Sequence, residues 1–317
     1  MVIKLPKSFV GSFNYVDCGA VGDLSNSLLS AFDDSRFIGF DPELTVPVEK
    51  NDSSVYFPVA VSKESGQVDF HRTKNLNCSS VYVPNQEFLD RFIEVGDFFR
   101  IIETIPLKVV ALDEYLPQHG INEIDFIELD TQGSELGILQ GAKDFLSSSI
   151  LGVRVEVEFS AMYQDQPLFS DVDSFLRKFG FMLFDLERYH LRRKAVPPDG
   201  VSREQIVWGQ ALYFKDWRYD LASSTKQSLC KLAVISSFYG FHSYALEIIE
   251  YLISDDVKIL TLQEKKELKI FTVHEFQKKQ GQFNMFYKYI YNKVLRPFNW
   301  LKKKATPAIS SDYFWKD

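Results

Sequence analysis

Between residues 13 and 214, short runs rich in Val, Ile, Phe and Tyr alternate with turn and helix signals, and this rhythm constrains the fold more than any other feature of the chain. Such runs read as buried strands, and the segments between them as the crossovers of a βα-repeating sheet. Strands are expected at 13–16, 36–40, 55–61, 124–130, 152–159, 181–186 and 206–214, and helices at 24–32, 112–119, 135–146 and 172–179. Asp41-Pro42 stops the second strand, because proline cannot extend a central ladder. The stretches 67–71 and 80–83 read as a hairpin-type insertion around a polar segment at 72–79. The last two strands are separated by the turn Pro197-Pro198-Asp199-Gly200 without a convincing helix, which predicts antiparallel neighbours. The expected fold is α/β, a Rossmann-like sheet of seven strands with one antiparallel edge strand.

Beyond Trp217 apolar residues recur at helical spacing instead: Leu229, Leu232 and Ile235, then Ala245, Ile248, Ile249 and Leu252, with Gly240 between the two runs. A helical hairpin is expected there, and the domain boundary is placed between 1–218 and a C-terminal α-helical domain at 219–317. With 45% hydrophobic and 25% charged residues among 317, collagen-like and disordered classes are excluded. Cys18, Cys78 and Cys230 lie far apart with no C-x-x-C spacing, and the five histidines are scattered, so no metal site is expected. No signal-peptide pattern or membrane-spanning run is read, and a cytoplasmic protein is expected. The net charge of −7 hides a segment, 276–311, with eight cationic and no acidic side chains, interleaved with aromatics. The strongly acidic remainder argues against nucleic-acid binding. The basic aromatic segment suits peripheral contact with an anionic membrane at its inner face, or simple solvation of the helical domain.

Asp17-Cys18-Gly19-Ala20-Val21-Gly22 stands where the first strand turns toward the first helix, and its glycines let the backbone approach a ligand closely. An acidic first position would repel a pyrophosphate, which argues against a nicotinamide cofactor. S-adenosylmethionine carries no phosphate, and its ammonium and sulfonium are cationic, so Asp17, Gly19, Ala20 and Gly22 are candidate cofactor-binding residues. Asp41, nineteen positions after Gly22, can accept hydrogen bonds from both hydroxyls of an adenosine ribose. Ser62, after Val59-Ala60-Val61, is placed to border the adenine or to sit in a turn.

These residues, in this order, resemble the FkbM family of S-adenosylmethionine-dependent methyltransferases. The resemblance covers about residues 13–214 and includes Gly39-Phe40-Asp41-Pro42, Leu112-Asp113-Glu114-Tyr115, Leu139-Gln140-Gly141-Ala142 and Trp208-Gly209-Gln210. Its most specific piece is Ile124-Asp125-Phe126-Ile127-Glu128-Leu129-Asp130-Thr131-Gln132-Gly133-Ser134-Glu135. The chain departs from the family's usual pattern at Val21, where Asn is usual, at Glu128, where Lys is usual, and at Gln132, where Glu is usual. The resemblance implies S-adenosylmethionine as cofactor and O-methyl transfer to a sugar or glycan hydroxyl; the alternative is a catalytically silent cofactor-binding or scaffold protein.

Methyl transfer from a sulfonium is an in-line displacement, and an alcohol acceptor must also lose its proton. Asp130, at the tip of the fourth strand, is the first candidate base and a cofactor-side residue, or else a cap for the following helix. Glu158, sharing a strand face with Glu156, is the second catalytic candidate. Glu135, His190 and Arg192 are candidate substrate residues, Arg192 for an anionic acceptor.

Overall fold

The computed structural model describes residues 2–19, 28–42, 48–51, 53–195, 197, 200–219, 221 and 224–277. Ala20 and Gly22 of the first loop, and the basic aromatic segment from 278 on, lie outside the described residues. The chain divides into two units, Met1–Phe271 and Thr272–Asp317.

The strands are β1 (Phe13–Cys18), β2 (Ser35–Phe40), β3 (Val48–Asn51), β4 (Ser54–Phe57), β5 (Ala60–Val61), β6 (Gly66–Thr73), β7 (Ile101–Val110), β8 (Phe126–Leu129), β9 (Gly152–Glu158), β10 (Phe181–Leu191) and β11 (Gln205–Lys215). The helices are α1 (Lys7–Val10), α2 (Gln86–Leu89), α3 (Val95–Phe98), α4 (Leu112–Gln118), α5 (Glu135–Gln140), α6 (Lys143–Ser148), α7 (Phe169–Arg177), α8 (Lys226–Phe238), α9 (His242–Ile253) and α10 (Leu262–Gln277). Of the helix expected at 24–32, the described part is one 3-10 turn at Leu29–Ala31.

The main sheet has the order β10-β11-β9-β8-β1-β2-β4-β3. Pairings β1 with β2, β1 with β8, β2 with β4 and β8 with β9 are parallel. A seven-stranded mixed sheet is therefore present, extended by the short β3, which runs antiparallel to β4. As expected, the last two strands are antiparallel neighbours at one edge of the sheet; β10 is the edge strand, and β11, antiparallel to both of its neighbours, lies inside between β9 and β10. Burial explains the order. Val207, Ala211, Tyr213 and Phe214 of β11 are fully buried, whereas β10 is exposed or half-buried beyond Phe181, so the more apolar strand takes the interior.

Two further expectations change. The run 55–61 is split, because Pro58 has no N–H to donate: β4 joins the main sheet, and β5 joins a second sheet of order β5-β7-β6. The hairpin expected between 67–71 and 80–83 is replaced by antiparallel pairing of β6 with β7, leaving one bridge between His71 and Ser80. Pro106 disguised β7 in the sequence. It sits opposite Asp69, on a stretch of β7 that pairs with β6 alone, since β5 reaches only Val109 and Val110.

Val16, Cys18, Ile127, Leu129, Val153, Val155 and Val157 point into one core, shared with Leu112, Leu116, Ile138, Leu146 and Leu176 from α4 to α7. On the opposite face Tyr239, just after α8, stacks on Phe126 of β8 with centroids 5.6 Å apart. Lys231 of α8 donates to Asp125 at 2.7 Å in a buried pair, and Asp125 also accepts from the Asn14 amide at 2.8 Å. The helical hairpin forms as expected, with Gly240 at φ +89° between α8 and α9.

Candidate functional site

A cavity of about 440 Å³ opens at the carboxyl ends of the parallel strands, where open α/β sheets hold ligands. Its floor is Cys18 and Gly19 at the end of β1, Phe40, Asp41 and Pro42 at the end of β2, and Ala60 and Val61 of β5. Asp130, Thr131, Gln132 and Ser134, from the turn between β8 and α5, close one end. Gly19 is required by space and by conformation. Its φ is +99°, and a Cβ there would lie 2.2 Å from the Asp130 carbonyl oxygen. The chain therefore passes tightly between the β1 and β8 tips, joined by the Asp130 amide donating to the Cys18 carbonyl at 3.2 Å.

The roof was not legible in the sequence. Phe70 and Arg72 of β6, Leu107 of β7, and Leu76, Asn77, Ser79 and Val81 of the connection that follows β6 line the same cavity. The β5-β7-β6 sheet thus arches from the Ala60-Val61 side toward the Asp130 turn. Its far end is pinned by the Ser80 hydroxyl donating to the Gln132 carbonyl at 2.7 Å and by the Tyr163 hydroxyl at 2.9 Å from the Cys78 carbonyl. The signal that could have found this roof is the alternation Ile105, Leu107, Val109 along β7.

The expected site residues separate into groups. Gly19, Asp41 and Asp130 line the cavity. Asp17 lies on β1 opposite Glu128 and shares a strand face with Tyr15. Burial, with the Glu128 and Asp130 carboxylates, pushes its carboxyl up to about 7 against the pull of Arg154. Ser62 falls one residue beyond the Ala60-Val61 wall; its amide donates to Val110 at 2.9 Å, and its carbonyl packs where a Cβ on Gly141 would be 2.4 Å away. The helix expected at 135–146 is interrupted at this position, as α5 and α6.

Glu135 is buried and accepts from the Thr131 amide at 2.7 Å, the Thr131 hydroxyl at 2.9 Å and the Gly133 amide at 3.3 Å, so it ties the Asp130 turn together from beneath. Burial holds its carboxyl above the usual range. Glu158 is buried and also held well above that range, by burial first and then by Glu135. It is not among the residues lining the cavity, nor is Glu135. Glu156 reaches the Asp130 turn through Gln132, whose Nε2 donates to Glu156 at 2.7 Å and to Asp130 at 3.0 Å. Burial and three neighbouring carboxylates, Asp130 first, push Glu156 up to about 11, which favours its protonated form at neutral pH and disfavours it as a base. His190 stands exposed on β10 opposite Ile206, and Arg192 follows that strand with its carbonyl accepting from Ile93 at 3.1 Å. Neither lines the cavity. Among the described residues no group of His, Cys, Asp or Glu is placed to hold a metal ion.

The residues present fit S-adenosylmethionine. Phe40, Pro42, Ala60 and Val61 would offer apolar contact to an adenine, Asp41 could accept from a ribose, and the Gly19 cradle would admit backbone-close approach. Residues 17–183, more than half of the chain, match the family model described as "Methyltransferase FkbM domain". Among solved structures, the crystal structure of Methyltransferase FkbM from Methylobacillus flagellatus KT aligns with a TM-score of 0.34 and 15% identity. That alignment covers 67% of this chain and 48% of the other, so the chain spans about half the length of that relative. Comparison with curated proteins gives no match.

Proposed function

Because this chain belongs to the FkbM methyltransferase family, whose members are S-adenosylmethionine-dependent methyltransferases, we propose that it transfers a methyl group to a hydroxyl oxygen of a sugar or glycan. The observation that carries this reading is the exposed Asp130 at the end of the cavity, whose backbone amide donates to the Cys18 carbonyl at 3.2 Å and so fixes it beside the tip of the strand that precedes Gly19. When bound, S-adenosylmethionine supplies an electrophilic methyl on a sulfonium sulfur that keeps the electron pair of the broken bond. Asp130 accepts the proton that the acceptor hydroxyl loses as its oxygen takes the methyl. Asp41 orients the adenosine, and Asp17, when ionised, favours the cationic amino-acid end.

Calorimetric titration with S-adenosylmethionine tests the pocket. Asp41→Ala and Asp17→Ala are each expected to weaken binding about tenfold or more; unchanged affinity in both variants would count against it. A second reading, binding without transfer, draws on the Gln132 amide, which already occupies an Asp130 oxygen. Tight binding with no methyl transfer to any glycan fraction would favour it.

Cytoplasmic placement with peripheral membrane contact is proposed from the sequence alone, on the eight cations at 276–311. A chain truncated after Gln282 should pellet less with anionic liposomes than the full chain does, and equal pelleting would end the idea.

A further inference from the structure

The cavity has two apolar walls, and the adenosine accounts for one of them. Phe40, Pro42, Ala60 and Val61 form the wall on the side of the main sheet. The facing wall is built by the insertion: Phe70, Leu107 and Val81 are half-buried there, and Leu76, at the mouth, is 63% exposed. A leucine this exposed on a cavity rim is apolar surface offered to whatever enters. Two residues beyond Phe70, on the same face of β6, stands Arg72. It is the one cationic side chain among the described residues that line the cavity, whose other charged groups there are Asp41 and Asp130. Glu103, its register partner on β7, accepts from Arg72 Nη1 at 2.7 Å and sets the guanidinium along the ladder. His71, next to Arg72, is bridged to Ser80, and Ser80 is bonded to Gln132, so this end of β6 lies over the Asp130 turn where the acceptor oxygen must sit.

We propose that the acceptor is an anionic amphiphile: its charged headgroup meets Arg72 beside the methylated hydroxyl, and its apolar part lies along Phe70, Leu107 and Leu76 of the insertion. The proposal rests on the reading of this cavity as the methyl-transfer site. An anion near Arg72 gains charge-assisted hydrogen bonds in a fork geometry, and an apolar segment gains by covering the lip. Arg192, expected from sequence to take this part, is replaced by Arg72.

The test uses the full chain, titrated calorimetrically with octyl phosphate, octyl glucoside and glucose 1-phosphate below micelle-forming concentrations, with and without saturating S-adenosylhomocysteine. The parent is expected to bind octyl phosphate about tenfold or more tighter than either other probe. Arg72→Gln should lose the advantage over octyl glucoside, Arg72→Lys should keep part of it, and Leu76→Ser should lose the advantage over glucose 1-phosphate. Equal binding of the three probes by the parent, or an unchanged profile in Arg72→Gln, overturns the proposal. Loss of S-adenosylhomocysteine binding in Arg72→Gln alone assigns the guanidinium to the cofactor and also overturns it. Failure of the parent to bind S-adenosylhomocysteine counts instead against the methyltransferase reading, and the unloaded titrations still decide the phosphate preference.

Discussion

Glu128 of β8 and Arg154 of β9 are register partners, and their side chains close an ion pair on the face of the sheet turned away from α4 to α7. The Tyr15 hydroxyl joins the same carboxylate from β1. An acidic residue at 128, where the family resemblance leads one to expect lysine, is thus answered by a cation on the neighbouring strand. The reversed charge is neutralised within the sheet, and Glu128 is not among the residues lining the cavity.

Arg154→Met should therefore destabilise the protein, because Glu128 keeps a hydrogen bond from Tyr15 but loses its countercharge in a half-buried place. A loss of about 1–3 kcal/mol in urea denaturation is expected. Combining it with Glu128→Gln should restore part of that loss, and strictly additive destabilisation would show that the pair is not coupled.

Asp17 gives a pH dependence. Its carboxyl is raised to about 7 by burial and by Glu128 and Asp130, so the folded chain holds a proton that the unfolded chain releases near the ordinary carboxylate range. The stabilisation is fully present below that range and is lost as pH rises through about 7. Asp17→Asn cannot ionise, so its stability relative to the parent should improve between pH 5 and 8 in a thermal-shift series, on the order of 1 kcal/mol or more. A constant difference across that range would place the proton elsewhere.

The sheet was legible because its strands alternate β-branched and aromatic runs with clear stops, and the turn at Asp130 was legible because residues 124–135 are so specific. What escaped detection was long-range. That β11 slips between β9 and β10 depends on which of two adjacent apolar strands buries more surface, a comparison that neither run shows by itself. β7 escaped because Pro106 looks like a strand breaker, although it sits opposite Asp69 on a stretch that pairs with β6 alone. Arg72 looked like part of a polar hairpin loop, while Arg192, in a more basic stretch, drew attention; a cavity that brings β6 over β8 cannot be read from local sequence. Glu158 and Glu135 have the residue type of catalytic acids, but the fold buries both, and Glu135 spends its carboxylate on the Thr131 and Gly133 amides.

Gln132, where glutamate would be the family's usual residue, donates from one amide to both Asp130 and Glu156, while its Oε1 lies 3.2 Å from the Tyr163 hydroxyl. Glutamate there removes that donor and adds a carboxyl to a cluster already holding Asp130, Glu135, Glu156 and Glu158. Gln132→Glu should then be less stable than the parent at pH 8 by about 1–3 kcal/mol. Because the added group must bind a proton in the folded chain, the deficit should shrink as pH falls toward 5. A deficit that grows on acidification would contradict this account.

In the proposed reaction Asp130 is the residue that takes the acceptor's proton. It lines the cavity, its amide is fixed to the Cys18 carbonyl, and its carboxylate is accessible, whereas Glu156 is held toward its protonated form at neutral pH and Glu158 is sealed from the cavity. Asp130→Asn preserves the size of the side chain, so S-adenosylhomocysteine affinity measured by calorimetry should stay within about threefold, the cofactor's adenosine contacts being elsewhere. Turnover with a hydroxyl acceptor should fall about a hundredfold or more, since general-base assistance contributes at least that much. If turnover is unchanged, the acceptor's proton leaves by another route and Asp130 serves only to shape the turn; if affinity and turnover fall together, its role lies in holding the cofactor.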